Sequence, residues 1–221
     1  MKNTDLGGYG FDLQGASLVA LPSGALWWPD QALLVVSDLH LGKSERMARL
    51  GGTSLPPYEA LDTLERLERD LSATGAAHVI CLGDSFDDAA AIAGLPGQIV
   101  DWLMRLQAGR RWTWIEGNHD PGPVALGGQH RAELALGPLV FRHIAEDGGL
   151  GEVSGHYHPK ARVAGRSCRC FLVDEARLIL PAFGTYTGGL WTHDDALTQV
   201  MGARALAILT GRVARAIPMP R

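Results

Sequence analysis

The sequence predicts an α/β protein, with strands and helices alternating along the first half and strands dominating the second. Two observations support this fold class. Up to about residue 115, short apolar runs alternate with amphipathic helical segments, and the later runs each stop at a cluster of polar residues. Beyond that point, short strand candidates follow one another between turn residues, with little helical pattern. This pattern is typical of a sheet with polar side chains at the carboxyl ends of its strands.

The composition is that of an ordinary globular protein. The 221 residues are 46% hydrophobic and 20% charged, which excludes wholesale disorder and suits a single domain over residues 1–221. A formal net charge of −4 excludes a polycationic coat for nucleic acid. The three cysteines are too few for a disulfide framework, and no apolar stretch reaches the roughly 18–20 residues of a membrane span. With no signal-peptide pattern either, we predict a cytoplasmic protein without a membrane partner.

The N-terminal region predicts an irregular lead-in followed by strands. Residues 1–15 are rich in Gly with scattered Asp, so we expect no regular element there. Apolar runs at residues 16–21, 25–28 and 32–36 are separated by Pro-containing turns and are predicted as strands. The third run is almost entirely apolar, which suits a strand buried on both faces.

Helices and strands alternate in the next segment. Leucines recur at spacings of three and four over residues 56–74, with a proline at the start and a glycine after the end, which predicts an amphipathic helix. We then predict a strand over residues 78–82, a second helix over 96–107 and a strand over 112–115. The polar clusters after these strands should meet at one edge of the sheet.

The second half of the chain is predicted to be rich in strands. Turn residues separate most of its apolar runs. The predicted strands cover residues 132–136, 139–143, 152–154, 169–173, 177–180, 205–209 and 213–217.

Five polar clusters contain the residues that are candidates for metal binding or catalysis. They are Asp38-Leu39-His40, Gly83-Asp84 with Asp87, Gly117-Asn118-His119-Asp120, His143, and Gly155-His156-Tyr157-His158. Carboxylate, imidazole and amide oxygen together suit borderline divalent metals such as Mn, Fe, Zn or Ni. No cysteine joins them, which argues against a closed structural zinc site. Each cluster alone is typical of a turn or a cap, but their order and their positions after strands together predict a metal site.

The ordered clusters resemble the motifs of the calcineurin-like metallophosphoesterase superfamily over residues 34–160. The resemblance implies a four-layer αββα sandwich of two mixed β-sheets flanked by helices. It also implies two divalent metal ions at the strand ends, Mn²⁺ in first place, with Fe, Zn or Ni as alternatives.

The same resemblance assigns roles to individual residues. Seven residues are implied as metal ligands: Asp38, His40 and His158 for one metal, Asn118, His143 and His156 for the other, and Asp84 as a bridge between them. A hydroxide between the metals is the implied nucleophile. His119 is the implied general acid, with Asp120 holding its tautomer and Asp87 orienting a neighbouring ligand. His130 is an alternative to His143, which we favour because it ends an apolar strand.

A narrower resemblance concerns residues 180–190, Leu-Pro-Ala-Phe-Gly-Thr-Tyr-Thr-Gly-Gly-Leu. This segment resembles the signature of the DNA-ligase-associated metallophosphoesterases of the PdeM type, endonucleases of a bacterial DNA damage response. The resemblance implies a metal-dependent endonuclease in DNA repair, with a DNA ligase, a helicase-like protein and an exonuclease as partners. The alternatives are a small-molecule phosphodiesterase or phosphatase, or a non-catalytic scaffold in a ligase–helicase assembly. The segment itself can also be a Gly-rich loop that only closes the site.

Cations and aromatic residues suggest where a substrate would bind. Lys160, Arg162, Arg166 and Arg169 follow the last cluster with no acid among them, and they either guide a nucleic-acid backbone or form a solvated strand edge. Tyr186 and Trp191 are candidates for stacking on a base, although for Trp191 we favour packing.

Overall fold

The computed structural model describes residues 6–51, 55–120, 122, 125–146 and 148–221, which form two β-sheets with helices on their outer faces. The strands of the first sheet lie side by side in chain order: β1 Tyr9–Leu13, β2 Ala16–Ala20, β3 Leu26–Trp28, β4 Leu33–Val36, β5 His78–Leu82, β6 Arg111–Ile115 and β7 Gln129–Arg131. Strands β1 to β4 are antiparallel, whereas β4 to β7 run parallel. The sheet is therefore mixed.

The second sheet is mixed as well. Its strands are β8 Glu133–Leu136, β9 Leu139–Arg142, β10 Glu152–Ser154, β11 Lys160–Val163, β12 Arg166–Val173, β13 Arg177–Ile179, β14 Leu206–Leu209 and β15 Arg215–Pro218. Their spatial order is β15-β14-β12-β13-β10-β9-β8, with β11 paired to β12 as a hairpin. The neighbours β9, β10 and β13 are parallel, and the remaining pairs are antiparallel.

Helices cover the outer face of each sheet. The α-helices of the described residues are α1 Lys43–Arg49, α2 Glu59–Thr74, α3 Ala89–Gly94, α4 Gly97–Gln107 and α5 Asp195–Val200. Leu64 of α2 and Leu103 of α4 are buried in one core with Trp112 of the first sheet. Leu197 of α5 is buried with Leu172 of the second sheet. These layers confirm the predicted αββα sandwich.

Strand β4 shows how the sequence builds these layers. Successive strand residues point to opposite faces, and both faces of β4 are covered. Leu33 and Val35 therefore pack between the two sheets, while Leu34 and Val36 pack beneath the helices. All four residues are inaccessible to solvent, which explains why the run is apolar at every position.

The prediction of an irregular N-terminus is wrong for residues 9–13. These residues form β1, and alternate positions Phe11 and Leu13 are buried between the sheets. Gln14 and Gly15, both with positive φ, make the turn into β2. Because these residues are rich in glycine and aspartate, the alternation of buried and exposed positions was not recognised in the sequence. Residues 1–5 lie outside the described part of the chain.

The other differences are short elements that the sequence pattern did not predict: α1, α3, α5, β7 and β11. The predicted helices begin later than expected, at Glu59 and Gly97, and the last strand is shifted toward the C-terminus. Among the described residues, no helix combines the length and the apolar character that crossing a membrane requires.

Candidate metal centre

The polar clusters of both sheets meet at one edge of the sandwich. Asp38 and Asp84 follow the neighbouring parallel strands β4 and β5, and His143 and His156 follow β9 and β10 of the other sheet. The backbone amide of His156 donates a hydrogen bond of 3.0 Å to the carboxylate of Asp38, 118 residues earlier in the chain. The site therefore lies at the junction of the two sheets.

Asp38, His40 and His158 form the first group of donor atoms. One ligand atom from each lies within 4.8 Å of the others, and Asp38 Oδ1 is 3.0 Å from His158 Nε2. Asp38 Oδ1, His40 Nε2 and His158 Nε2 are all buried, and none has a hydrogen bond of good geometry, although Asp38 Oδ1 and His158 Nε2 face each other. Buried polar atoms that converge without partners are costly unless they bind something. One carboxylate oxygen and two imidazole nitrogens fit a divalent cation of the borderline class.

Asp84, His143 and His156 form the second group, with ligand atoms again within 4.8 Å of one another. His143 Nε2 lies 3.3 Å from Asp84 Oδ2 and 3.3 Å from His156 Nδ1. Two ring nitrogens that face each other need a proton or a cation between them. Asp84 Oδ2 is also 4.0 Å from His40 Nε2 of the first group, so this carboxylate lies between the two groups.

The structure brings Asn118 and His143 together. Asn118 Oδ1 lies 3.1 Å from His143 Nε2, which adds an amide oxygen to the second group. The ring of His130, the alternative considered from the sequence, stacks instead on Trp114. All seven residues expected as ligands thus lie in one region.

The backbone at this edge is unusual. Five of the seven residues have positive φ, between 45° and 67°: Asp38, His40, Asp84, His156 and His158. Residues other than glycine rarely adopt this left-handed conformation, which costs of the order of 1 kcal/mol or more per residue. The strand ends therefore turn sharply and aim these side chains into the gap between the sheets.

Two glycines allow the strand ends to approach closely. A Cβ atom on Gly117 would lie 2.2 Å from the backbone nitrogen of Asp84, and one on Gly83 would lie 2.4 Å from His143 Nδ1. Neither position has room for a side chain. Gly83 also has φ of +71°, which glycine adopts without strain.

Buried charges in the site compensate one another. Burial acts to raise the pKa of Asp84, but the neighbouring His143 lowers that pKa to about 2. Burial acts to lower the pKa of His143, whereas the carboxylates of Asp84 and Asp38 raise it to about 9. The carboxylates thus draw positive charge into the site.

Asp87 supports the first group through His40. Asp87 Oδ1 lies 2.9 Å from His40 Nδ1, which directs the Nε2 atom of that ring into the site. Arg46 donates a hydrogen bond of 3.0 Å to Asp87 Oδ2, and the Lys43 ammonium lies 3.7 Å from Asp87 Oδ1. Burial acts to raise the pKa of Asp87, but His40 and Arg46 lower it to about 2. Asp87 is thus placed where it can orient the His40 ring.

The role expected for Asp120 is wrong. Its carboxylate does not orient the His119 ring but accepts hydrogen bonds of 2.7 to 3.2 Å from four backbone amides, those of Asp84, Ser85, Phe86 and Gly117. His119 Nδ1 lies 2.9 Å from the backbone carbonyl oxygen of Asp87. Asp120 thus shapes the turn that carries Asp84, and a carbonyl fixes the His119 tautomer.

The structure separates Arg166 from Lys160 and Arg162, three of the four cations proposed to line a single substrate surface. In the β11–β12 hairpin, Arg162 pairs with Ser167, and Val163 pairs with Arg166. Paired residues share a face and successive residues alternate, so Lys160 and Arg162 lie on one face while Arg166 lies on the other. Grouping Arg166 with the other two was therefore wrong. Tyr186 lies half-buried in the Gly-rich loop.

Sequence reasoning missed the side chains that hold this Gly-rich loop, residues 181–189. The backbone amides of Phe183 and Gly184 donate to the carbonyls of Ser37 and Asp38, at 2.7 and 3.0 Å. Arg169 donates to the loop from the other side, to the carbonyls of Ala182 and Thr185. Arg66 of α2 also donates to carbonyl and hydroxyl oxygens of the loop. These contacts join distant segments, so no local signal in the sequence identifies them.

The fold and the site define a phosphoesterase of the calcineurin-like class. The family model described as calcineurin-like phosphoesterase matches residues 32–196, and the chain belongs to this family. Among solved structures, the chain is similar to the Pseudomonas putida nuclease MPE, with 29% identity and a TM-score of 0.75 over 95% of this chain and 100% of that chain. It also matches Yfce, a phosphoesterase from E. coli, with 12% identity and a TM-score of 0.39 over 85% and 99% of the two chains. No match was found among curated proteins.

Proposed function

We propose that this chain is a two-metal phosphodiesterase that cuts nucleic acid, and that it acts as an endonuclease in bacterial DNA repair. The observation that carries the proposal is the meeting of two donor groups at one carboxylate, Asp84. Similarity to a nuclease along nearly the whole chain supports nucleic acid as the substrate. A DNA ligase, a helicase-like protein and an exonuclease are the partners that this role would involve.

The proposed ligands divide as the two donor groups do. Asp38, His40 and His158 would hold one divalent cation, Asn118, His143 and His156 would hold the other, and Asp84 would serve both. Mn²⁺ is the cation that the family resemblance puts first, and oxygen and imidazole donors without thiolate suit Mn, Fe, Zn and Ni. Two such cations would lower the pKa of a bound water and neutralise charge on the phosphoryl oxygens.

His119 is proposed to protonate the leaving oxygen. The Asp87 carbonyl can only accept, so His119 Nδ1 carries a hydrogen, and Nε2 is the atom that gives and takes the transferable proton. The centre of the His119 ring lies 5.2 Å from that of His40, which places the donor beside the first group. Because the ring is fixed by a backbone atom, its position does not depend on a second titrating group.

A substrate and metal screen tests this proposal. We would load the protein with Mn²⁺, Fe²⁺, Zn²⁺ or Ni²⁺ and offer bis-p-nitrophenyl phosphate, single-stranded DNA, duplex DNA and RNA. We expect hydrolysis of the small diester and cutting of at least one nucleic acid, and expect Asp84→Asn to lose both activities and both metals. Hydrolysis of the small diester alone, with every metal, would replace the nuclease by a small-molecule phosphodiesterase. Full metal content and normal turnover in Asp84→Asn would refute the bridging role.

A further inference from the structure

A cavity of about 540 Å³ opens at the same edge of the sandwich as the proposed metal centre. Strand β3 is antiparallel to β4, which leads to Asp38, so the turn between β2 and β3 lies at this edge. In the other sheet β14 runs in the same direction as β10, which leads to His156, so the turn after β14 lies there too. These two turns and helix α2 contribute most of the lining residues. The volume is within the roughly 300–1,000 Å³ of small-molecule sites.

The walls of this cavity are joined by hydrogen bonds. The amide of Gly211, after β14, donates to the carbonyl of Pro22, after β2, at 3.0 Å. The amide and the hydroxyl of Thr210 both donate to the carbonyl of Arg169 in β12, at 3.0 and 2.9 Å. The cavity is therefore a fixed part of the fold, built where turns of the two sheets meet.

Arginine dominates the lining, at positions 66, 69, 169 and 212. Arg66 and Arg69 pair with carboxylates one helical turn earlier in α2, at 3.1 and 3.0 Å. Arg169 and Arg212 form no ion pair with any residue that the structure describes. Asp70 is the one acidic residue among the described lining residues. Positive charge is therefore in excess even if Asp70 and both helical partners are ionised.

Two of these guanidinium groups converge on one threonine. Arg66 donates to the hydroxyl of Thr185 and Arg169 donates to its carbonyl, both at 3.0 Å. The Arg66 side chain is only 20% exposed, and burial together with Arg66 lowers the pKa of Arg169. A half-buried cation beside a second cation is costly unless an anion compensates it.

Donor groups remain for such an anion. A guanidinium group has five N–H donors, and the contacts of Arg66 use three of them, whereas those of Arg169 use two. Asp70 Oδ2 is buried without a hydrogen-bond partner, and burial raises the pKa of this carboxyl group. A protonated Asp70 would donate to an anion instead of repelling it.

We propose that this cavity is a phosphate-binding site separate from the metal centre, with Arg66, Arg169 and Arg212 as its cationic groups. The planar fork of N–H donors on each guanidinium group matches the oxygens of a phosphate. The site requires neither the metals nor the proposed nuclease function. Its occupant is either free phosphate or a phosphate of a nucleic-acid strand that runs along this edge to the metal centre.

Titration of inorganic phosphate into the full-length protein tests the site. Metal is stripped with EDTA, which is then dialysed away, so that neither the metals nor the chelator binds the titrated component. We expect saturable binding of one phosphate by the wild type. Arg212→Ala should raise Kd about 10-fold, because it removes a charged donor, and Arg212→Glu should abolish binding. In the Mn²⁺-loaded protein both variants should again bind phosphate more weakly than the wild type.

Arg166→Ala is the matched control, because Arg166 is an exposed arginine of β12 that does not line the cavity. It should bind phosphate like the wild type. Arg212 is exposed as well, and no described residue forms a hydrogen bond with its side chain, so its replacement should not disturb folding. A wild type that binds no phosphate, or an Arg212→Glu variant that binds it normally, would overturn the site.

Kinetics on two substrates identify the source of the phosphate. If a strand carries it, Arg212→Ala should raise KM for a long oligonucleotide and leave turnover of bis-p-nitrophenyl phosphate unchanged. If the occupant is free phosphate, the kinetics on both substrates should stay at the wild-type level while Kd for phosphate rises. Equal losses on both substrates would show that Arg212 acts on the metal centre, which would overturn the separate site. A wild type that binds phosphate but cuts no oligonucleotide would overturn the nuclease function alone.

Discussion

At the scale of single residues, the proposed role of His119 separates proton donation from metal binding. Its Nδ1 atom is held by a backbone carbonyl, and the ring stands beside His40 without belonging to the proposed ligand set. We expect His119→Ala to keep its metal content and to lose about 10²–10⁴-fold in turnover of diesters with poor leaving groups. The loss should be smaller for p-nitrophenyl esters, which need little protonation. Metal analysis with kinetics on both substrate types checks this, and equal losses on both would contradict the role.

The burial of His78 makes the stability of the folded protein depend on pH. It is buried on β5 against Thr113, and burial together with nearby Arg111 lowers the pKa of His78 to about 4. In the unfolded chain His78 is therefore protonated below about pH 6.5, whereas in the folded chain it stays neutral down to about pH 4. Stability is lost as the pH falls through this window.

The expected loss from this residue alone is about 2 kcal/mol at pH 5 relative to pH 7.5. Urea unfolding of the wild type and of His78→Gln at both pH values isolates the contribution. The glutamine keeps a polar partner for Thr113 and removes the titration, so the variant should lose about 2 kcal/mol less than the wild type. An identical pH dependence in the two proteins would show that His78 does not titrate in this way.

The sequence predicted a metal site because each polar motif follows a strand, and the resemblance to a known family then assigned the candidate ligands. The contacts of Asp120 and the position of Arg166, by contrast, could not be predicted from the sequence. The sequence places Asp120 beside His119, but only the folded turn shows that its carboxylate binds the amides of Ser85 and Phe86. The face on which Arg166 lies depends on the register of the hairpin, which a run of cations does not reveal.

At the scale of elements, the Gly-rich loop depends on Arg169. This half-buried side chain donates to the carbonyls of Ala182 and Thr185, and burial lowers its pKa. Arg169→Met would leave both carbonyls without these donors, and we expect unfolding to require about 2–4 kcal/mol less free energy. Because the loop binds the backbone at Asp38, turnover of the small diester should fall as well.

Arg166→Met provides the comparison for Arg169→Met. Arg166 lies on the same strand but is exposed, so its loss should change stability by no more than about 0.5 kcal/mol. Urea unfolding of the two variants measures the difference. Equal stabilities would show that the two carbonyls find other donors.

The elements that the sequence predicted are those with long or strong periodicity. Helix α2 buries leucines at regular spacing and ends at Gly75 with φ of 65°, and β4 is apolar throughout. By contrast, none of the seven residues of α1 is buried, so this helix carries no hydrophobic pattern. Strand β1 was missed because a half-buried edge tolerates the glycine and aspartate that usually mark loops.

At the scale of the whole molecule, the proposed ligands come from both sheets, so bound cations would stabilise the sandwich as a whole. A ligand that binds only the folded state at 100 times its Kd adds about 2.7 kcal/mol. For a chain of this size, removal of metal with EDTA should therefore lower Tm by about 5–10 °C, and Mn²⁺ should restore it. Asp84→Asn should melt at one temperature with and without Mn²⁺. An unchanged Tm in the wild type would argue against cations that link the sheets.

The hydrogen bond between His156 and Asp38 joins positions 118 residues apart. During synthesis, Asp38 leaves the ribosome long before the histidines that complete its site, and no early fragment contains a full set of proposed ligands. A truncated or half-made chain therefore lacks part of the proposed metal centre. In the proposed nuclease, hydrolysis would begin only after both sheets had formed, so unfinished chains would not cut the nucleic acid around them.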